Sequence, residues 1–263
     1  MGDAATVAVQ IVNYRTRRYL ERCIETAVAD LGGSGPAYEI NLLDNASGED
    51  LADLAARFSA VRASVAPSNV GFGGGHNLLA RETEAPYLLI LNPDVELRGP
   101  GTIARLLDVV AGDVRVSAAG PKLIMADGRP QPYDHGRLHG ARAAIAIKGG
   151  HSYWRATDVR QEVAWVSGAA MLVKRAAFMA VGGFDERLFL YKEDEDLCLR
   201  MRAAGGVIVY EPGVVMGHHG SVVADRESEL TGASSYFFAK HYEGRRSRKA
   251  FAAAHQTLAY LRL

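Results

Sequence analysis

"YLLILNPDVEL", residues 87–97, opens on five aromatic or aliphatic residues and then meets Asn92, Pro93 and Asp94. The apolar run reads as a strand buried on both faces, the pattern of a parallel sheet. Pro93 has no amide hydrogen to give a ladder, so the regular strand should stop there with polar side chains at its carboxyl end. Upstream, "TVAVQIVNY" (6–14), "YEINLLDN" (38–45) and the shorter "RASVAP" (62–67) have the same strand character. Helical spacing lies between them: Tyr19, Leu20, Cys23, Ile24 and Ala27, then "GEDLADLAARF" (48–58), then "NLLARETE" (77–84). Strand and helix in alternation predict an α/β fold, a mostly parallel central sheet with helices on both faces. Ligands of such sheets bind beyond the carboxyl ends of the strands. That edge collects Asp44-Asn45, the glycine-rich stretch "SNVGFGGGHN" (68–77), read as a loop, and Asn92 to Asp94.

The second half is less regular. "TIARLLDVVA" (102–111) predicts a helix and "VSAAGPKLI" (116–124) a strand, whereas residues 126–162 read as a long excursion without period. Residues 163–186 read as strand, turn, strand and short helix. "LYKEDEDLCLR" (190–200) then gathers four consecutive acids before a helix with Leu197, Cys198, Met201 and Ala204 on one face. "GVIVYEP" (206–212) is a strand, "VVMGHHGSV" (214–222) carries paired histidines, and the tail 234–263 reads as a helix with a basic cluster, Arg245 to Lys249. No linker or internal repeat divides the chain, so a single domain is expected.

Thirty basic residues balance thirty acidic ones, which leaves no global field for nucleic acid. Cys23 and Cys198 are too far apart in sequence for a metal motif and fit a reducing compartment. The first residues lack the basic and apolar regions of a signal peptide, and no apolar run reaches the roughly 20 residues of a membrane helix. The expectation is a cytoplasmic protein, with the basic tail permitting peripheral contact with the inner face of a membrane.

Several polar features have two readings. Gly71 and Gly73 fit the start of a G-x-G-x-x-G fingerprint, but His76 takes the place of the third glycine and no P-loop lysine follows. Dinucleotide binding and ATP hydrolysis are therefore excluded. What remains is a tight turn, or a backbone that lets a nucleotide or sugar approach closely. Asp44-Asn45 is either turn chemistry or an acceptor for a base or ribose. Asp94 is either a strand terminator or a ligand for Mg²⁺ or Mn²⁺. His218 and His219 are neighbours on an extended segment, so at most one faces the site. Acids in a first helical turn complement the helix dipole, which accounts for two or three of the four. It does not account for Glu193 and Asp194 directly behind "LFLY"; a partly desolvated carboxylate beside others has the raised pKa of a general base.

Taken in order, "VQIVNYRTRRYLERCI", "LLDNASGED", "NVGFGGGHN", "LLILNPDVEL", the stretch from "VSGAAMLVK" through "KEDEDLCLRMRAAG", and "HHGSV" resemble the inverting glycosyltransferases of family 2, closest to the bacterial rhamnosyltransferase-like branch. The resemblance covers roughly residues 6–222 and implies the GT-A fold. It divides the single domain 1–263 into a nucleotide-binding half (1–97), a donor-sugar and acceptor half (98–222) and a helical tail (223–263). It assigns the nucleotide and donor to Asn13, Asp44, Asn45, Gly71, Phe72, Gly73, Asn77, Asn92, Ser167 and Gly168. Asn92 and Asp94 match the metal-binding D-x-D signature with Asn in place of its first acid, and His218 completes a site for a divalent cation, Mn²⁺ or Mg²⁺. Asp194 is implied as the catalytic base with Glu193 as its competitor, and Gly183, Phe184 and Asp185 as the acceptor side. The implied activity is that of a metal-dependent hexosyltransferase. It moves a sugar, by the branch resemblance L-rhamnose from dTDP-rhamnose, from a nucleoside diphosphate to an acceptor hydroxyl on a glycan, a lipid-linked glycan or a small molecule. Segment 126–162 would order over the donor, and a homodimer is compatible with the pattern. The competing class is a nucleotide-sugar-binding protein of the same fold without catalysis.

Overall fold

The computed structural model describes residues 6–31, 36–137, 154–220 and 226–242. Four parallel strands form its first block: β1 (Val7–Asn13), β2 (Tyr38–Asp44), β3 (Val61–Val65) and β4 (Tyr87–Leu91), in the order β3-β2-β1-β4. β1 is buried at every position, Gln10 and Asn13 included, as a strand covered on two sides must be. Its alternate side chains separate two cores. Val7, Val9 and Ile11 pack with Leu20, Cys23 and Ile24 of α1 (Arg17–Leu31) and with Ile103 and Leu106 of α4 (Thr102–Gly112). On the other face Ala8, Leu88 and Ile90 meet Phe178 of α5 (Arg175–Ala180) and Leu197, Cys198 and Met201 of α6 (Glu193–Ala203). Each such fully buried leucine or isoleucine is worth about 1.5–3 kcal/mol relative to exposure. The two remaining early helices are α2 (Ala52–Arg57) and α3 (Gly71–Arg81).

The second block is mixed. β10 (Ala170–Lys174) runs antiparallel to both β4 and β6 (Val116–Ile124), and the long β11 (Val207–His218) returns parallel to β6. The short strands β5 (Val95–Leu97) and β8 (Gln161–Val163) pair antiparallel with β11. A two-stranded ribbon joins β7 (His135–Gly136) to β9 (Trp165–Val166). The last described helix is α7 (Arg226–Tyr242).

The structure adds to one sequence reading and corrects three. The strand from Tyr87 stops before Pro93 as expected, but residues 95–97 form a second strand: the chain turns at Asn92–Val95, where the Val95 N–H donates to the Asn92 carbonyl at 3.2 Å, and β5 joins the opposite edge of the sheet. Gly71 to Gly75 form the first turns of α3 instead of a loop. Ala204 caps the end of α6 and is exposed, because the helix ends before its face returns to the core. Part of the 126–162 excursion is regular, since β7 and the start of β8 fall within it; residues 138–153 lie outside the described set, as does the basic cluster of the tail. Among the described residues no helix is long and apolar enough to cross a membrane.

Candidate active site

The carboxyl end of β4 and the end of β11 meet because β11 carries a bulge between Glu211 and Val215. A bulge bends and twists its strand, and here it brings His218 opposite Val95 in the β5 register, beside Asp94. His218 Nε2 lies 3.3 Å from Asp94 Oδ1, and the Asn92 side-chain N–H points at the same nitrogen from 3.4 Å. Asp94 Oδ2 accepts the Gly220 N–H at 2.9 Å. His219 goes the other way, to Glu96 at 2.9 Å and the Tyr19 ring, as alternation along an extended segment requires. Asp94 and His218 are 5% and 8% exposed, so their polar atoms depend on each other and on the groups buried with them. Burial pushes the Asp94 carboxyl up, but the hydrogen bond and charge of His218, with backbone N–H groups, hold it below its ordinary value. A carboxylate oxygen facing an imidazole nitrogen is a donor pair suited to Mn²⁺. Among the described residues no group of three or more His, Cys, Asp or Glu converges on a metal position, so further ligands would have to come from the donor.

A second corner lies one peptide away. The Asn92 N–H donates to the Ala169 carbonyl at 2.8 Å, and the preceding Gly168 N–H donates to Asp194 Oδ2 at 2.9 Å. Asp194 Oδ1 takes the Glu195 N–H at 2.7 Å. A side chain on Gly168 would press on the Phe72 ring and the Asp194 Cβ, both 3.3 Å from the ideal position. Glycine therefore allows this close approach. Burial raises the Asp194 carboxyl while the Gly168 and Glu195 N–H groups oppose the rise. Glu193, 6% exposed, rises well above its ordinary value through burial and the Asp194 charge, and its Oε2 has no hydrogen-bond partner. The two backbone N–H groups favour the charge on Asp194 and leave the proton on Glu193. Tyr191 and Lys192, the residues leading into these acids, both have φ +69°. Two consecutive non-glycine residues in the left-handed region are strained, and the strain sits at the entrance to the acids.

All four acids fall in the first turn of α6, yet each has a different surrounding. Glu195 pairs with Lys192. Asp196, fully buried, is held by Arg200 at 2.8 Å and by Lys240 and His241 of α7 at 2.6 Å. The sequence reading gave Asp196 no more than a helix start; its partners lie at 240 and 241, beyond any motif.

Several expected ligand residues are spent inside the protein. Asn13 donates to Asp44 at 3.0 Å and Glu49 at 2.9 Å and accepts from Thr16, which uses both amide hydrogens and the oxygen. Asn45 holds the entry to α3 through Asn69, Val70 and Gly71. Asn77 donates to the Phe184 carbonyl and to Glu186 and accepts the Phe184 N–H. None of the three keeps an amide hydrogen for a nucleotide. Asp44 also accepts the Ser47 N–H at 3.0 Å, so most of its acceptor capacity is used at the turn after β2. Gly71 and Gly73 approach protein instead of ligand: a Cβ would lie 2.6 Å from the Phe189 carbonyl and 2.7 Å from the Phe184 Cβ. Phe184 is buried under Phe72 and Phe178, and Asp185 is held by Arg187, Tyr236 and Lys240, so direct acceptor contact by either is not what their surroundings favour. Ser167 is half-buried beside Gly168, its N–H given to the Asp134 carbonyl at 2.9 Å. Sequence reasoning missed Gln131, whose Oε1 is 2.5 Å from His218 Nδ1, and Asp134, which accepts from His135, Trp154 and Tyr210.

Comparisons with known proteins identify the family and the fold. The chain is 33% identical over 240 residues to the N-acetylglucosaminyl-diphospho-decaprenol L-rhamnosyltransferase of Mycobacterium tuberculosis, covering 80% of this chain and 75% of the relative. It is 24% identical to rhamnosyltransferase WbbL of Escherichia coli, covering 81% and 83%. The mannosyltransferase PcManGT of Pyrobaculum calidifontis, solved with GDP-Man and Mn²⁺, superposes with a TM-score of 0.66 at 16% identity over 100% of this chain and 71% of that one. GalNAc-T7, solved with UDP, GalNAc and Mn²⁺, superposes with a TM-score of 0.63 at 15% identity over 91% of this chain, which spans 51% of that protein. These likenesses show the GT-A fold. The family described as "Glycosyltransferase like family 2" matches residues 4–252, and the chain belongs to it.

Proposed function

We propose that this glycosyltransferase moves L-rhamnose from a nucleoside diphosphate, dTDP-rhamnose, onto a hydroxyl of a sugar-diphospho-lipid acceptor, with inversion at the anomeric carbon. The observation that carries the reading is the 33% identity, over 80% of the chain, to a rhamnosyltransferase whose named acceptor is such a lipid. Asp194 is the base. It takes the proton from the acceptor hydroxyl as that oxygen attacks the anomeric carbon from the side opposite the diphosphate. The sugar passes through an oxocarbenium-like state and the nucleoside diphosphate departs. Gly168 and Glu195 hold the Asp194 carboxylate in place through their N–H groups. Glu193 keeps its proton and lines the floor. The Phe72 ring, half-buried against Gly168, excludes water from the same corner. A divalent cation held by Asp94 and His218 would neutralise charge on the leaving diphosphate. A cavity of about 380 Å³ beside Gly183, lined by Arg81, Arg187, Arg200 and Lys240 and by Asp185 and Glu186, is the surface proposed to take the acceptor's diphosphate. The residues named there shape it through Asp185, which orients Arg187 and Lys240.

The test is product analysis with dTDP-rhamnose, UDP-sugars and GDP-sugars offered in parallel to a GlcNAc-diphospho-lipid, with Mn²⁺ and with chelator. Rhamnosylated lipid formed only from dTDP-rhamnose, and lost with chelator, is the expected result. Transfer only from another donor, or undiminished transfer in chelator, overturns the donor or the metal assignment respectively.

A further inference from the structure

The ligand pair Asp94 and His218 depends on which nitrogen of the histidine carries its proton. A ring that presents N–H at Nε2 turns a donor toward a metal position and cannot ligate. A ring protonated at Nδ1 presents a lone pair. The chain settles this with a residue outside every recognised motif. After β6 the backbone makes a hairpin: the Met125 N–H bonds the Arg129 carbonyl and the Gln131 N–H bonds the Leu123 carbonyl, each at 2.9 Å. Leu123 is the register partner of Met216 in β11, two residues before His218. The hairpin therefore lays Gln131 along the end of β11, with Gln131 Oε1 2.5 Å from His218 Nδ1. An amide oxygen only accepts, so Nδ1 is the donor in this contact. On the far side of the ring Nε2 lies 3.3 Å from Asp94 Oδ1 and 3.4 Å from the Asn92 amide nitrogen. The shorter contact, at Nδ1, holds the single proton of the neutral ring.

We propose that Gln131 is the positioning residue that fixes the tautomer of the neutral His218 ring, by accepting the Nδ1 proton and so leaving Nε2, the nitrogen nearer Asp94, to face a cation. The inference rests on the reading of Asp94 and His218 as the cation site, and it deepens that site by one residue. Orienting partners of this kind change metal affinity by about 10–100-fold when removed.

The experiment begins on the metal-free wild-type protein. Long-range proton–nitrogen correlation of ¹⁵N-histidine-labelled protein, at a pH where the ring is neutral, reads the tautomer directly; the His218 signals are identified by their loss in His218→Gln. A ring protonated at Nδ1 is expected. A ring protonated at Nε2 overturns the proposal. Mn²⁺ binding is then followed by electron paramagnetic resonance with dTDP present. Gln131→Leu is expected to mix the tautomers and weaken Mn²⁺ about 10–100-fold. Gln131→Glu, which still accepts from Nδ1, is expected to restore both. Gln131→Leu with an unchanged tautomer and unchanged Mn²⁺ affinity overturns the proposal. Absence of Mn²⁺ binding in the wild type would refute the cation site, while the tautomer spectrum still decides the role of Gln131.

Discussion

Asp94 and Asp194 are joined through the Asn92–Ala169 and Gly168–Asp194 hydrogen bonds, and their surroundings drive them in opposite directions. Asp94 is nearly buried, yet His218 and backbone N–H groups hold its carboxyl below the ordinary value. Asp194 lies beside a second buried acid, and burial raises it in spite of two backbone donors. A carboxylate kept ionised suits a cation, and one kept hungry for a proton suits a base. The difference teaches that the two roles are set by surroundings: an imidazole in one corner, burial in the other.

The largest effect that would break this division is expected from Asp194→Asn. Transfer should fall about 10³-fold while donor binding, read by calorimetry, stays within a few-fold. Normal turnover would remove Asp194 from the chemistry. Next comes Asp94→Asn, expected to weaken Mn²⁺-supported donor binding about 10²-fold and to leave the acid limb of the pH profile where the wild type has it. That limb, set by the raised Asp194, should lie above the ordinary aspartate range in kcat/KM measured against pH.

The smallest effect sharpens the pair itself. Glu193 is raised in the folded protein, so its protonated form stabilises the fold below the ordinary glutamate value. That contribution is lost as pH rises through the folded value. Glu193→Gln keeps a neutral side chain at every pH. It should melt on the order of 3 °C higher than wild type at alkaline pH, converging with it in acid, for about 1 kcal/mol. Turnover should stay within about tenfold of wild type. A collapse of turnover instead would transfer the base to Glu193.

The parallel block was legible because β1 and β4 are largely apolar runs closed by polar residues, and the β1–β2 and β2–β3 ladders join successive strands. The turn at Asn92–Val95 was not, since Pro93 announces that a strand stops and says nothing of where the next one pairs. Glycines argue against a helix by propensity, and at 71–75 packing overrides that: a Cβ on Gly73 would meet Phe184 and one on Gly75 would meet Val12 at 2.8 Å. The acids, Asp94 and His218 stood out by type and place. Asn13, Asn45 and Asn77 stood out equally, but an amide at a strand end looks the same whether it faces a ligand or a neighbouring turn. Gln131 and Asp196 could not be found this way, because their partners are 87 residues away for Gln131 and 45 for the His241 contact.

The grip of α7 on Asp196 also bears on when the enzyme becomes complete. A ribosome adds about 5–20 residues per second, and Lys240 and His241 emerge long after β1–β4 have what they need to pair. Until then Asp196, two positions past Asp194 and fully buried in the finished protein, has Arg200 as its one described ionic partner. The helix that carries the proposed base is thus left electrically unfinished from the emergence of Ala203 until that of Lys240 and His241.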